Sequence, residues 1–159
     1  MFIELEPIFN VEGTSKAFVY EFKLDDCDII DTVSVSGEVK NNTGIVSLKG
    51  NAVCRLNTVC DRCAAPVKRE MTVPLNHLLI AHLNDEDNDD FILVEDMNFN
   101  LDELVREDIF LSMPAKVLCR PDCKGLCQYC GANLNDGSCN CKKPVDPRLA
   151  VLSQLLEEE

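Results

Sequence analysis

Val33-Ser34-Val35-Ser36-Gly37-Glu38-Val39-Lys40-Asn41-Asn42-Thr43-Gly44-Ile45-Val46-Ser47-Leu48 places apolar residues at alternate positions on both sides of a polar break. Successive side chains of a strand point to opposite faces, so this period of two predicts half-buried strands. Asn41 to Gly44 tolerates positive φ and predicts the turn that joins them. Working outward, Val46, Leu48, Ala52, Cys54 and Leu56 share one face of a long strand that runs up to Cys60. The chain then reverses through Asp61 and Arg62 and leaves along Val67, Met71, Val73 and Leu75, which puts Cys60 and Cys63 at the tip of an antiparallel hairpin. Two weaker strand patterns come earlier, Phe2 to Leu5 and Ala17 to Leu24, with a polar turn from Asn10 to Lys16 between them.

Further along, Asn84 to Asp90 carries five carboxylates and reads as a solvated loop, since the Gly and final Glu of a calcium-binding EF-hand loop are missing. A short strand, Phe91 to Val94, follows. Asn100 is then placed to cap a helix over 101–113, with Asp102 and Glu103 in its first turn and Leu101, Leu104, Val105 and Ile109 as its apolar stripe, until Pro114 stops it. Between Cys119 and Pro144 large apolar residues are few, so that segment cannot fold on a core of its own and needs a cross-link, which a metal supplies. Asp146, Pro147 and the leucines at 149, 152, 155 and 156 predict a short amphipathic C-terminal helix over 147–157. The expected fold is α+β: a β-rich twisted antiparallel sheet or small barrel with one covering helix, a zinc-bound cysteine-rich tail and that short helix. The boundary is expected near residue 115, with 1–115 the β-rich domain and 116–159 the zinc-binding tail.

The 159 residues hold 15 Lys and Arg against 28 Asp and Glu, a formal net charge of −13, and 46% are hydrophobic. That is enough apolar material for a core and excludes a disordered tail or a fibre. No run approaches the roughly 18 apolar residues of a membrane span, and the start, Met1-Phe2-Ile3-Glu4-Leu5-Glu6, is acidic where a secretory signal is basic. A cytoplasmic, membrane-free protein is therefore expected. In that compartment ten cysteines point to metal binding rather than to a disulfide framework.

Eight of the ten cysteines fall into four close pairs, which fits two tetrahedral four-thiolate sites. Cys127, Cys130, Cys139 and Cys141 form one compact set, with Gly131 and Gly137 able to relieve its tight turns. Cys60, Cys63, Cys119 and Cys123 form a second set that would staple the tail to the hairpin tip. The expected cofactor is structural zinc, one or two ions, because the cysteine run of a ferredoxin-type cluster and its downstream Pro are missing. Cys27 and Cys54 stand apart, Cys54 on the core face of its strand. Two enzymatic readings compete. A thiol or metal-dependent redox enzyme would use Cys60 and Cys63, although such a pair normally sits at a helix N-terminus and strand patterns flank this one on both sides. A zinc hydrolase would need an open site containing His77 or His82, whereas four thiolates close a site. No P-loop, dinucleotide fingerprint or serine elbow occurs, and no small-molecule substrate is expected.

Charge is unevenly spread. From Lys116 to Arg148, Lys116, Arg120, Lys124, Lys142, Lys143 and Arg148 face only Asp122, Asp136 and Asp146, and Arg55, Arg62, Lys68 and Arg69 surround the first cysteine pair. A basic cysteine end on an acidic body can touch RNA locally while the body receives a basic protein.

The string Cys119-Arg120-Pro121-Asp122-Cys123-Lys124-Gly125-Leu126-Cys127-Gln128-Tyr129-Cys130-Gly131-Ala132-Asn133-Leu134-Asn135, followed by Cys139-Asn140-Cys141 and by Asp146-Pro147-Arg148-Leu149-Ala150-Val151-Leu152, resembles the YceD family of large ribosomal RNA subunit accumulation proteins. Cys60-Asp61-Arg62-Cys63 is similar to the family's upstream C-x-R-C. The resemblance implies a non-enzymatic role in making or maintaining large-subunit rRNA, in a bacterial cytoplasm or a plastid, with that rRNA or a basic large-subunit ribosomal protein as partner. Some members have a His and a Cys where Cys119 and Cys123 stand and lack much of the distal cluster. That implies that Cys60 and Cys63 pair with Cys119 and Cys123.

Overall fold

The computed structural model describes residues 1–25, 27–81, 91–94 and 97–141. Three long strands form its centre, β3 (Ile30–Asn42), β4 (Ile45–Val59) and β5 (Pro66–Ile80), and β2 (Ser15–Lys23) pairs antiparallel with β3 at one edge. The β3–β4 turn has Thr43 at φ 56° and Gly44 at φ 88°, the doubly positive geometry that matches the twist of a two-residue hairpin. In β3 and β4 the alternation predicted from the sequence holds, with Val33, Val35, Val39, Val46, Leu48, Ala52, Cys54 and Leu56 all buried.

At the middle of that ladder Gly37 faces Gly50. A Cβ on Gly50 would stand 2.4 Å from the Ser36 carbonyl oxygen, and one on Gly37 would stand 2.7 Å from the Phe18 ring. Phe18 of β2, paired with Gly37, therefore fills the side-chain space that Gly37 leaves.

The strand order decides between the two expected forms, sheet or small barrel, and corrects one expectation. The sheet is open, running β2-β3-β4-β5-β6, with no closure into a barrel among the described residues. Its covering layer, rather than a closing strand, shields the core face. The sheet is also not wholly antiparallel, because β6 (Phe91–Leu93) runs parallel to β5. A parallel neighbour cannot be joined by a tight turn, so β5 and β6 are not a hairpin.

The covering layer is built from residues 2–10 and 98–112. β1 (Phe2–Glu4) pairs with β7 (Asn98–Asn100) as a separate two-stranded ribbon. A five-residue helix, α1 (Glu6–Asn10), fills the stretch between the predicted strand Phe2 to Leu5 and the predicted turn Asn10 to Lys16; it is too short to show a helical period. The expected covering helix is α2 (Leu101–Ser112), and all four residues of its predicted stripe are buried. Asn100 stands at its N-cap position but makes no capping bond to the backbone, its amide lying 3.5 Å from the Glu103 carboxylate instead. His77 of β5 and Asp108 of α2 share a 2.6 Å hydrogen bond that ties helix to sheet.

Asn41, read from sequence as a turn residue, is 2% exposed and joins three elements. Its side-chain amide donates to the carbonyls of Ile8 and Phe9 at the end of α1, at 2.8 and 3.1 Å, and its Oδ1 accepts from the Gly44 N–H at 2.9 Å. Carbonyls at a helix end lack intrahelical donors, so this buried amide supplies what α1 cannot. The acidic run 84–90, His82 and the predicted helix 147–157 lie outside the described residues.

Candidate metal centres

The turn between β4 and β5 carries the first cysteine pair. Cys60 N–H donates to the Ala65 carbonyl at 2.8 Å, Ala64 N–H donates to the Cys60 carbonyl at 2.9 Å, and Ala64 takes φ 56°. The turn at Cys127 repeats this pattern residue for residue. Cys127 N–H donates to Ala132 at 2.8 Å, Gly131 N–H donates to Cys127 at 2.9 Å, and Gly131 has φ 72°. Both are knuckles that aim two thiols and backbone N–H groups at one point, and the fifth residue of each must enter the left-handed region. Gly131 does this freely, whereas Ala64 carries a Cβ there. Gly137, expected to relieve a turn in the same way, is not among the residues with positive φ.

Asp61 and Arg62, between the cysteines of the first knuckle, receive the tail. Asp61 N–H donates to the Val117 carbonyl at 2.9 Å, and the Val117 N–H donates back to the Asp61 carboxylate. The Arg62 guanidinium donates to the Cys123 carbonyl at 2.7 Å, while the Arg62 carbonyl accepts from Leu126 N–H at 3.2 Å. Gly125, at φ 79°, passes so close that a Cβ there would stand 3.1 Å from the Arg62 oxygen. The sequence marks Arg62 as a positive charge, a residue of the chain reversal and part of the C-x-R-C string, but no spacing rule reveals a residue that positions another segment.

Docking assembles the first expected set, and the tail's own turns assemble the second. The ligand atoms of Cys60, Cys63, Cys119 and Cys123 lie within 4.8 Å of one another, and so do those of Cys127, Cys130, Cys139 and Cys141. Cys60 Sγ is 3.8 Å from Cys123 Sγ, and Cys63 Sγ is 3.6 Å from Cys119 Sγ. Disulfide sulfurs stand only about 2.05 Å apart. A tetrahedron with metal–sulfur bonds of about 2.3 Å has edges of roughly 3.8 Å, so the spacing fits four thiolates around one ion. The first set is shielded, with Cys60, Cys63 and Cys123 buried beside Ala65, Val67 and Leu118, and the second is more open.

Thiol acidity across the two cysteine sets is uneven. Burial alone would raise the Cys60 pKa, but N–H groups of Cys119, Arg62 and Cys63 outweigh it and hold the thiol at about 6. The N–H groups of Cys130 and Tyr129 likewise bring Cys127 to about 6. Cys123 is lowered chiefly by the Asn135 side chain. In contrast Cys119, through burial and then its sulfur neighbours, and Cys141, chiefly through Cys130, are pushed up to about 12. Four thiolates cannot ionise side by side without a cation, and one cation removes that conflict for all four.

Cys54, 1% exposed in the sheet core, has its pKa raised by burial and then by Cys27, and neither residue belongs to a set. His77 is engaged with Asp108 and is in neither set.

Residues 48–156 match the YceD family, described as large ribosomal RNA subunit accumulation protein. The chain belongs to that family. Among its relatives, an uncharacterized protein of Mycobacterium tuberculosis H37Rv, Rv2926c, is 33% identical over 104 residues, 63% of this chain and 50% of that protein. YlbN of Bacillus subtilis 168 is 29% identical over 133 residues, 82% of this chain and 77% of that protein. The chloroplastic large ribosomal RNA subunit accumulation protein YCED homolog 1 of Zea mays is 44% identical over 48 residues, 30% of this chain and 16% of that protein. The match therefore spans half the length of the mycobacterial relative. No solved structure matches the chain. No helix among the described residues is long and apolar enough to cross a membrane.

Proposed function

We propose that this protein is a non-enzymatic factor in large-subunit ribosome biogenesis, supporting accumulation of the large-subunit rRNA in a bacterial cytoplasm or a plastid stroma, with structural zinc in both cysteine sets. The observation that carries this reading is the pairing of Cys60 and Cys63 with Cys119 and Cys123, which staples the tail to the hairpin tip. Zinc suits four soft thiolates, and a closed four-sulfur shell leaves no position for a reactive water. The ions supply cross-links where apolar residues are scarce; the chain's own residues present the binding surface.

That surface is basic against an acidic whole. Arg55, Lys68, Arg69, Lys116 and Lys124 are exposed and make no ion pair among the described residues. Arg55, Asn57, Lys68 and Arg69 line one concavity with Asp31 and Glu70. In our reading this end contacts rRNA phosphates and the acidic remainder holds a basic ribosomal protein. Affinity-tagged protein is expected to recover large-subunit precursor rRNA or a large-subunit ribosomal protein, and the Arg55→Ala, Lys68→Ala, Arg69→Ala combination to weaken RNA recovery with a shallower salt dependence. Recovery of neither partner sinks the proposal.

One observation favours a rival: Cys60, held near 6, sits in a C-x-x-C pair that could run thiol–disulfide exchange. Zinc content and thiol titration of the native protein separate the two. Two zincs per chain with both cysteine sets unreactive supports the assembly factor; metal-free protein that turns over disulfides supports the redox enzyme.

A further inference from the structure

We propose that the two sites load cooperatively, with the ion held by Cys127, Cys130, Cys139 and Cys141 strengthening binding at Cys60, Cys63, Cys119 and Cys123 through Asn135. The inference rests on the zinc reading above and adds a coupling between the ions. Asn135 belongs by chain position to the second set, in the loop from Cys130 to Cys139, yet its side chain reaches the first. Its Nδ2 donates to Cys123 Sγ at 3.4 Å and to Asn133 Oδ1 at 2.8 Å. Its Oδ1 accepts from the Arg120 guanidinium and from the Lys124 N–H, both at 2.8 Å. The two donor hydrogens and two acceptor positions of the amide are thus all used, and the N–H edge is locked toward sulfur.

The loop that carries Asn135 lies against the segment between the two sites. Leu134 N–H donates to the Gly125 carbonyl at 2.9 Å, Leu126 and Asn133 form a single β-bridge, and Asn135 N–H donates to Asn133 Oδ1 at 3.1 Å. Leu134 is its only large apolar side chain, so closure at both ends by the second cysteine set orders it. Filling that set fixes Asn135 against Cys123. Four thiolates around a divalent cation keep two net negative charges, and an N–H directed at one sulfur stabilises that excess. Because coupling is reciprocal, the first ion strengthens the second by the same factor.

The test is a zinc titration of the metal-free full chain under reducing conditions against a chromophoric chelator. At each step unprotected cysteines are alkylated and mapped by mass. In the unaltered chain the two sets are expected to become protected together. Asn135→Leu should still bind two ions, with affinity at the Cys60 set lowered about tenfold or more. Asn135→Asp keeps an acceptor for Arg120 and Lys124 but turns a charged oxygen toward Cys123, so its loss should be larger. Cys139→Ser with Cys141→Ser should weaken the Cys60 set by a similar factor, and adding Asn135→Leu to that pair should cost little more. Affinity of the Cys60 set within about twofold of the unaltered chain in Asn135→Leu, Asn135→Asp and the double serine variant would show independent sites, overturning the coupling while the two-zinc reading stands. Protection of only one set at saturating zinc would overturn the two-zinc reading, and the coupling with it.

Discussion

Cys60 Sγ and Cys123 Sγ lie 3.8 Å apart although 63 residues of chain separate them. The contact is produced by the residues around the sulfurs. Asp61 and Arg62 exchange hydrogen bonds with Val117, Cys123 and Leu126, so backbone and guanidinium meet the tail at the place where the four sulfurs gather. An ion at the Cys60 set would add the cross-link that this segment, poor in large apolar residues, needs to stay docked.

Chelation should therefore loosen the tail and spare the sheet. The apolar core lies between the sheet and its covering layer, and none of the eight ligand cysteines belongs to it. Limited proteolysis of chelated protein is expected to cut between residues 113 and 141 while the fragment before the cut keeps its far-UV signal; simultaneous loss of both would show that the ions hold the whole fold.

The two knuckles respond oppositely to the same exchange. Ala64→Gly removes a left-handed Cβ and should stabilise the zinc-loaded protein by about 1 kcal/mol, while Gly131→Ala should weaken its knuckle by about 1–2 kcal/mol. Thermal unfolding for the first and zinc competition for the second give the signs, and equal signs would contradict the shared geometry.

In metal-free protein Cys127 and Cys141 should separate by pH. Cys127, at about 6, becomes a thiolate as pH rises past that value, whereas Cys141, near 12, stays protonated at neutrality. Alkylation at pH 7.5 (about one and a half units above the first value) should label Cys127 ahead of Cys141. Acidification below 6 should slow Cys127 labelling, and zinc should protect both.

His77→Ala should leave zinc content unchanged. It removes a half-buried hydrogen bond to Asp108 and should cost about 1–3 kcal/mol in denaturant unfolding. Loss of an ion in this variant would revive the hydrolase reading.

Asn41→Leu tests the buried amide. The Ile8 and Phe9 carbonyls would lose their shared donor, at a cost of about 1–3 kcal/mol. Asn41→Asp should also be harmful, since a carboxylate would face those carbonyls without a proton to give.

The sequence by itself determined the long strands, α2 and the grouping of the tail cysteines, because each is written in local order. The alternation of Val33 to Leu48, the stripe of Leu101, Leu104, Val105 and Ile109, and the close cysteine pairs are patterns a few residues wide, set by strand, helix and knuckle geometry. What depended on distant partners was decided only in the folded chain. The β1–β7 ribbon, the parallel β6, the open rather than closed sheet, and α1 with its Asn41 cap have no local period to announce them. The same holds for the candidate metal centres. Spacing grouped the cysteines into two sets of four, but Arg62 as the residue that seats Cys123, and Asn135 as the residue that joins the two sets, follow from hydrogen bonds between segments 61 and 12 residues apart. Such bonds depend on where the tertiary fold brings two backbones together, and no single stretch of sequence carries that information.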